Sequence, residues 1–126
     1  MAMDDLFNNL STATTLAPAA RTAAATGTTV DLQGFAGALV QAVVGTITDG
    51  VHTLAVQESA DNITWTAVAA ADLQGSFVTL ATGVNQRVGY RGIQRFIRVN
   101  AAASGVTGGV YAVVVVRGTP RRAPVA

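Results

Sequence analysis

The stretch Val110 to Arg117 (VYAVVVVR) is the strongest strand signal in the chain. β-Branched and aromatic side chains of this kind fit a pleated, half-buried surface and resist helix formation. A second stretch, Ala38 to Gly45 (ALVQAVVG), is also rich in valine and mostly apolar. That pattern belongs to a strand buried on both faces. Whatever the chain folds into must give these two segments neighbours and cover.

The punctuation between apolar segments is regular. Thr48-Asp49-Gly50 and Ala60-Asp61-Asn62 are turn signals. Between them Val51 to Ser59 alternates, with Val51, Thr53, Ala55 and Gln57 on one face and His52, Leu54, Val56 and Glu58 on the other. Thr64 to Val68 reads as the returning strand of a hairpin. Thr28 to Leu32 alternates, and Gly34 and Gly37 bracket Phe35. Further along, Ser76 to Leu80 reads as a short strand, Thr82 to Asn85 as a loop, and Arg87 to Gly92 and Arg95 to Asn100 as two more extended segments. In the last of these Arg95, Ile97 and Val99 share a face. Ser104 to Gly109 is a glycine-rich loop, and Gly118-Thr119-Pro120 ends the final strand. Ala67 to Asp72 has room for a single helical turn. Roughly seven to nine short strands separated by such turns predict an all-β chain, a single β-sandwich of jelly-roll-like or Ig-like type. No fixed-period repeat is present, which argues against solenoids and propellers.

The length of 126 residues suits one domain with arms. The expected division is an N-terminal arm and linker over 1–18, the sandwich over 19–118 and a C-terminal tail over 119–126. In the arm, Asp4 and Asp5 precede Leu6, Phe7 and Leu10, whose spacing places them on one helical face. Acids early in the segment suit a helix N-terminus. A helix of about two turns is unstable alone in water, so it has to dock. Ser11 to Pro18 reads as an extended linker, because Pro18 stops a continuous helix.

Residue inventory excludes much chemistry. Without cysteine there is no disulfide framework, thiolate metal site or cysteine nucleophile. His52 is the only histidine, no serine stands in a G-x-S-x-G setting, and the bland role for His52 is a backbone hydrogen bond beside a hairpin. The acids at Asp49, Asp61 and Asp72 sit in separate turns, where carboxylates bond nearby amides more often than they gather around calcium. The glycines at 105, 108 and 109 lack the lysine and helix of a phosphate loop. The expectation is therefore no enzyme, no cofactor and no metal. A net charge of +1 lacks the basic surplus of a nucleic-acid binder. No run of about 18 apolar residues predicts a membrane span. Acids at the start stand where a secretory signal would be basic, which leaves the Asn62-Ile63-Thr64 sequon idle.

Charged residues make up only 12% of the chain, about half the usual share. One reading is an exterior largely covered by partners; a compositional bias toward Ala, Val and Arg, with no lysine at all, gives the same deficit. Trp65 alternates with Thr64 and Thr66 and is expected in the core rather than stacked on a sugar. Arg87, Arg91, Arg95 and Arg98 cluster, and Arg117, Arg121 and Arg122 follow the last strand. They either line solvated strand edges or pair with an acidic partner surface.

Several blocks then point to a family. They are Val30 to Phe35 with Gly37-Ala38-Leu39, Gly45 to Gly50, and Glu58 to Val68. Tyr90-Arg91-Gly92, Arg95 to Val99 and Gly118 to Arg121 complete the set. Over roughly Val30 to Arg122 the chain resembles small virion structural proteins of tailed bacteriophages, of the capsid decoration (cement) kind. The resemblance implies a non-enzymatic protein that binds the major capsid protein or other virion proteins, with no membrane and no specific nucleic acid. It implies a homo-oligomer, a trimer in the favoured form, on the capsid exterior and made in the host bacterial cytoplasm. A tail or head–tail neck component is the alternative, and a carbohydrate-binding sandwich a further one. On this reading Leu6, Phe7 and Leu10 pack on a neighbour while Arg117, Arg121 and Arg122 pair with its acids, each weak contact gaining from repetition.

Overall fold

The two valine-rich stretches become the longest neighbouring strands of one sheet. A computed structural model describes residues 9–120. In chain order its strands are β1 (Ser11–Arg21), β2 (Ala25–Thr26), β3 (Val30–Asp31), β4 (Phe35–Ile47), β5 (Thr53–Ser59), β6 (Thr66–Ala67), β7 (Leu73–Gln74), β8 (Gln86–Tyr90), β9 (Phe96–Ala102) and β10 (Gly109–Pro120). The first sheet has the order β1-β10-β4-β8-β7 and the second β2-β9-β5-β6, with β3 also pairing β9. All pairings are antiparallel. Most connections cross from one sheet to the other, which is the jelly-roll way of winding a sandwich rather than the Ig way.

Alternation decides what lies between the sheets. On β4 and β10 the inner positions are Val40, Ala42, Val44, Tyr111, Val113 and Val115, all buried in one core cluster. Val40 stands opposite Val115 and Ala42 opposite Val113, so the pair packs as a unit. From the second sheet Leu54 and Val56 of β5 meet Ile97, Val99 and Ala101 of β9. The face predicted for His52, Leu54 and Val56 is the buried one, and the shared face of Ile97 and Val99 is too.

Ser11 to Pro18, expected as a linker, is instead most of β1, hydrogen-bonded to β10 from Ser11 opposite Arg117 onward. Its threonines favour extension, and an edge strand tolerates Pro18 because a missing N–H on the open side costs nothing. The register slips between Leu16 and Ala19, around that proline. A second slip, between Thr14 and Leu16, turns Thr15 inward. There its Oγ donates to the Thr28 carbonyl (2.8 Å) and accepts from the Val99 amide (3.2 Å). The Thr15 carbonyl also accepts from the Thr28 amide at 2.6 Å. Thr15 thus ties the edge of one sheet to the other.

Other boundaries moved for similar reasons. Ser76 to Leu80 forms no strand. The amide and carbonyl of Val78 are satisfied by the side chain of Gln86, and Leu80 donates to the His52 carbonyl, so no ladder remains to be made. Of Thr28 to Leu32 only Val30 and Asp31 pair. The last strand runs through Pro120 rather than stopping at Gly118, because Gly118 and Pro120 pair with Gly37 and Phe35 of β4. The single helical turn is a 3-10 turn at Ala70–Asp72.

Candidate functional site

Ser11 stands opposite Arg117 and β10 runs on to Pro120, so both ends of the described chain lie at one end of the first sheet. Around that point lies a polar cluster. Arg117 donates to the Asp31 carbonyl at 3.1 Å and to Ser11 Oγ at 2.7 Å, and its guanidinium stacks 5.1 Å from the Phe35 ring centre. Arg95 grips the Asp31 carboxylate with two hydrogen bonds, 3.0 and 2.8 Å. That bond, with the Gln33 amide and the charge of Arg117, holds the Asp31 carboxyl below its ordinary range against the opposing effect of burial. The ion pair is nearly half exposed, so solvent screens it and it fixes geometry more than it adds stability. Of the residues expected at an interface, Arg117 is therefore engaged with its own chain. Leu10 lies at the same end, packed over Gly118 of β10. Leu6, Phe7, Arg121 and Arg122 lie outside the described residues. Between the 32–37 and 91–95 segments opens a pocket of about 340 Å³, with Phe35, Tyr90, Ile93 and Arg95 in its wall.

Four titratable groups elsewhere, His52, Tyr90, Asp49 and Asp61, are committed to structure. His52 is completely buried; one ring nitrogen lies 3.0 Å from the Asp49 carbonyl and the other 3.2 Å from the Tyr111 hydroxyl. This is the backbone-bonded histidine expected beside the hairpin. Tyr90 is buried too, donating to Glu58 Oε1 at 2.7 Å and accepting from the Gln94 amide. Burial, then the Glu58 bond, pushes its phenol well above the ordinary range. The Asp49 carboxylate accepts the amides of Gly108, Thr107 and Val106, which depress its pKa and fasten the 104–108 loop. Asp61 does the same for Thr64 and Ile63 while accepting from Ser59 Oγ. Both acids are turn formers, as their positions predicted. Among the described residues no group of three or more His, Cys, Asp or Glu side chains stands together for a metal.

Trp65 is not in the core. It is half-buried at the start of the short strand β6, with the Arg98 guanidinium stacked 4.2 Å from its ring centre. Arg98 also donates to Gln57 Oε1 at 2.9 Å. The sequence parity was right for a strand, but β6 holds only two residues and leaves its tryptophan on the outer side of the second sheet. The Asp31–Arg95 pair was invisible in the sequence, since 64 positions separate its members.

No protein-family model matches the sequence, and no curated protein does. Among solved structures the fold is similar to that of the SPBc2 prophage-derived protein YomS, with 20% identity and a TM-score of 0.58 over 86% of this chain and 92% of that one. It is also similar to a Bacillus endospore appendage subunit from disulfide-linked pili, at 16% identity and TM-score 0.49 over 89% of each chain. A chain of infectious bursal disease virus, Gx strain, matches at 13% identity and TM-score 0.46 over 91% of this chain and 35% of its own. The first of these establishes a shared fold.

Proposed function

We propose that the chain is a non-enzymatic structural protein of a tailed-phage virion, a capsid decoration protein that binds and stabilises the lattice of the major capsid protein from outside. The observation that carries this reading is that both ends of the described chain lie at one end of the first sheet, with Ser11 opposite Arg117. On this reading the apolar Leu6 and Phe7 and the basic Arg121 and Arg122 act from that end of the sandwich, while Leu10 rests over Gly118 of its own chain. Together they form a composite grip, apolar and cationic. The likeness of fold to a prophage-derived protein supports the phage setting. The homo-oligomer is a trimer on this reading, so each particle site is held by several grips at once, and avidity makes weak contacts sufficient.

The test is co-sedimentation of the purified protein with phage shells that lack it. Full-length protein pellets with the shells at saturable occupancy. Removing Met1 to Asn8, or substituting Arg121→Glu with Arg122→Glu, lowers occupancy at least tenfold. Equal occupancy of all three proteins contradicts the grip, and no pelleting of the full chain contradicts the decoration role.

A further inference from the structure

Strands β4 and β10 are apolar on both faces, but the sandwich covers only one. The outer positions of β10 are Val110, Ala112, Val114 and Val116, and those of β4 include Leu39 and Val43. Val43 is 48% and Val110 44% exposed. A strand that faces water alternates apolar with polar, and β4 and β10 do not, although Thr12, Thr14 and Arg87 flank them on β1 and β8. Gln41, the polar side chain amid these residues, turns back to donate to the Ala42 carbonyl at 3.2 Å. The flanking glycines Gly37, Gly45, Gly89 and Gly118 keep the surface low. Among the described residues the charges on this side are Arg87 and Arg91, exposed, at its β8 margin.

We propose that this outer face is covered by a second copy of the chain. Its size fits. The strands across it, β1, β10, β4 and β8, hold 11, 12, 13 and 5 residues, which at about 3.4 Å per residue and about 4.8 Å between strands makes a face of about 650 Å² per copy. That lies at the lower end of the roughly 600–1,000 Å² per partner that stable pairs bury. Leu10 lies on one end of this face, over Gly118 and beside Leu39 and Val116, but a single ribbon of chain is one strand wide and leaves the Val43 and Val110 end open. The charge-free aliphatic centre matches a surface of its own kind, and the marginal arginines stay in water when it is covered. This inference rests on the reading of the chain as an assembly subunit and adds a two-fold contact, like face on like face, distinct from the contacts that would close a trimer. It is tested on the isolated protein, so self-association without shell binding would keep it while removing the decoration role.

Because the chain has no cysteine, a single introduced thiol reports on one place. Val43→Cys places it on the outer face of the first sheet; Ala55→Cys, on the exposed side of β5, is the control. The readout is the maleimide labelling rate of the full chain from dilute to concentrated solution. The expected result is at least a tenfold slowing at Val43→Cys with concentration and a constant rate at Ala55→Cys. Val114→Cys gives the same slowing and serves should Val43→Cys fold poorly. Equal, concentration-independent rates at the two faces overturn the proposal. So does protection that ignores concentration and disappears when Met1 to Asn8 are removed, since that assigns the cover to the N-terminal segment.

Discussion

The two outer faces of the sandwich were built by the same alternation and came out opposite in character. Behind β4 and β10 stand valines and a leucine with glycines beside them. Behind β5 and β9 stand Thr53, Gln57, Arg98 and Asn100, with Ala55 between and Phe96 under the guanidinium of Arg95. Each large ring on the second face carries an arginine: Arg98 on Trp65 at 4.2 Å and Arg95 on Phe96 at 4.9 Å. That face has solved its exposure within the chain, using cations that remain hydrated while covering apolar surface. The first face has only Leu10 over its Gly118 end, and Val43 and Val110 stay exposed. A strand apolar on one side needs a core, and one apolar on both needs a core and a partner.

The largest effect that sharpens this contrast lies within β10. Val113, completely buried between the sheets, and Val114, on the outer face, are adjacent in sequence. Val113→Ala costs about 2 kcal/mol of unfolding free energy in urea, through lost burial and the cavity left behind. Val114→Ala, measured at a dilution where copies are apart, changes it by less than about 0.5 kcal/mol. Equal losses would mean that the outer valine is already covered within one chain. Next comes the tie between the sheets. Thr15→Val keeps the volume but removes the hydroxyl, stranding the Val99 amide and a Thr28 carbonyl bond. The expected loss is roughly 1–3 kcal/mol, with faster hydrogen exchange at Val99. Unaltered exchange there would remove Thr15 from its bridging role.

Smaller still is the effect of uncovering the second face. Arg98→Ala changes stability by about 1 kcal/mol or less, yet it should shift the emission of the sole tryptophan to the red as Trp65 meets water. An unmoved spectrum would show that the guanidinium is not its cover. The smallest effect is local and pH-dependent. The Asp49 pKa in the folded chain lies below the ordinary 3.8, so the carboxylate stabilises the fold above that value. The contribution is lost as pH falls from 3.8 through the folded value. Amide exchange at Val106, Thr107 and Gly108 should therefore quicken in that window, and Asp49→Asn should remove the dependence. Exchange insensitive to acid would contradict the latch.

The sandwich was legible because valine-rich runs and Asp/Gly turns are local signals. Thr15 and Ser76 to Leu80 were not, because their hydrogen bonds go to Thr28, Val99, Gln86 and His52, partners that only the tertiary fold brings near. Trp65 was misplaced because parity fixes which side of a strand a residue takes, not whether another layer stands there. Arg95 and Arg117 could be picked out as informative cations, but their shared partner Asp31 is remote in sequence from both. The segment around Val40 did announce burial on both faces; what the sequence could not say is that the sandwich itself would cover only one.

Whether copies meet on the outer face of the first sheet is decided by sedimentation velocity on paired substitutions. Val114→Glu puts a charge in the aliphatic centre of that face, and Ala55→Glu puts the same charge on the other. The wild-type chain should associate with rising concentration, the Val114→Glu chain should stay monomeric throughout while keeping its β circular dichroism, and the Ala55→Glu chain should behave as wild type. A folded Val114→Glu chain that associates as the wild type does, or a wild type that never associates, would contradict a contact on that face.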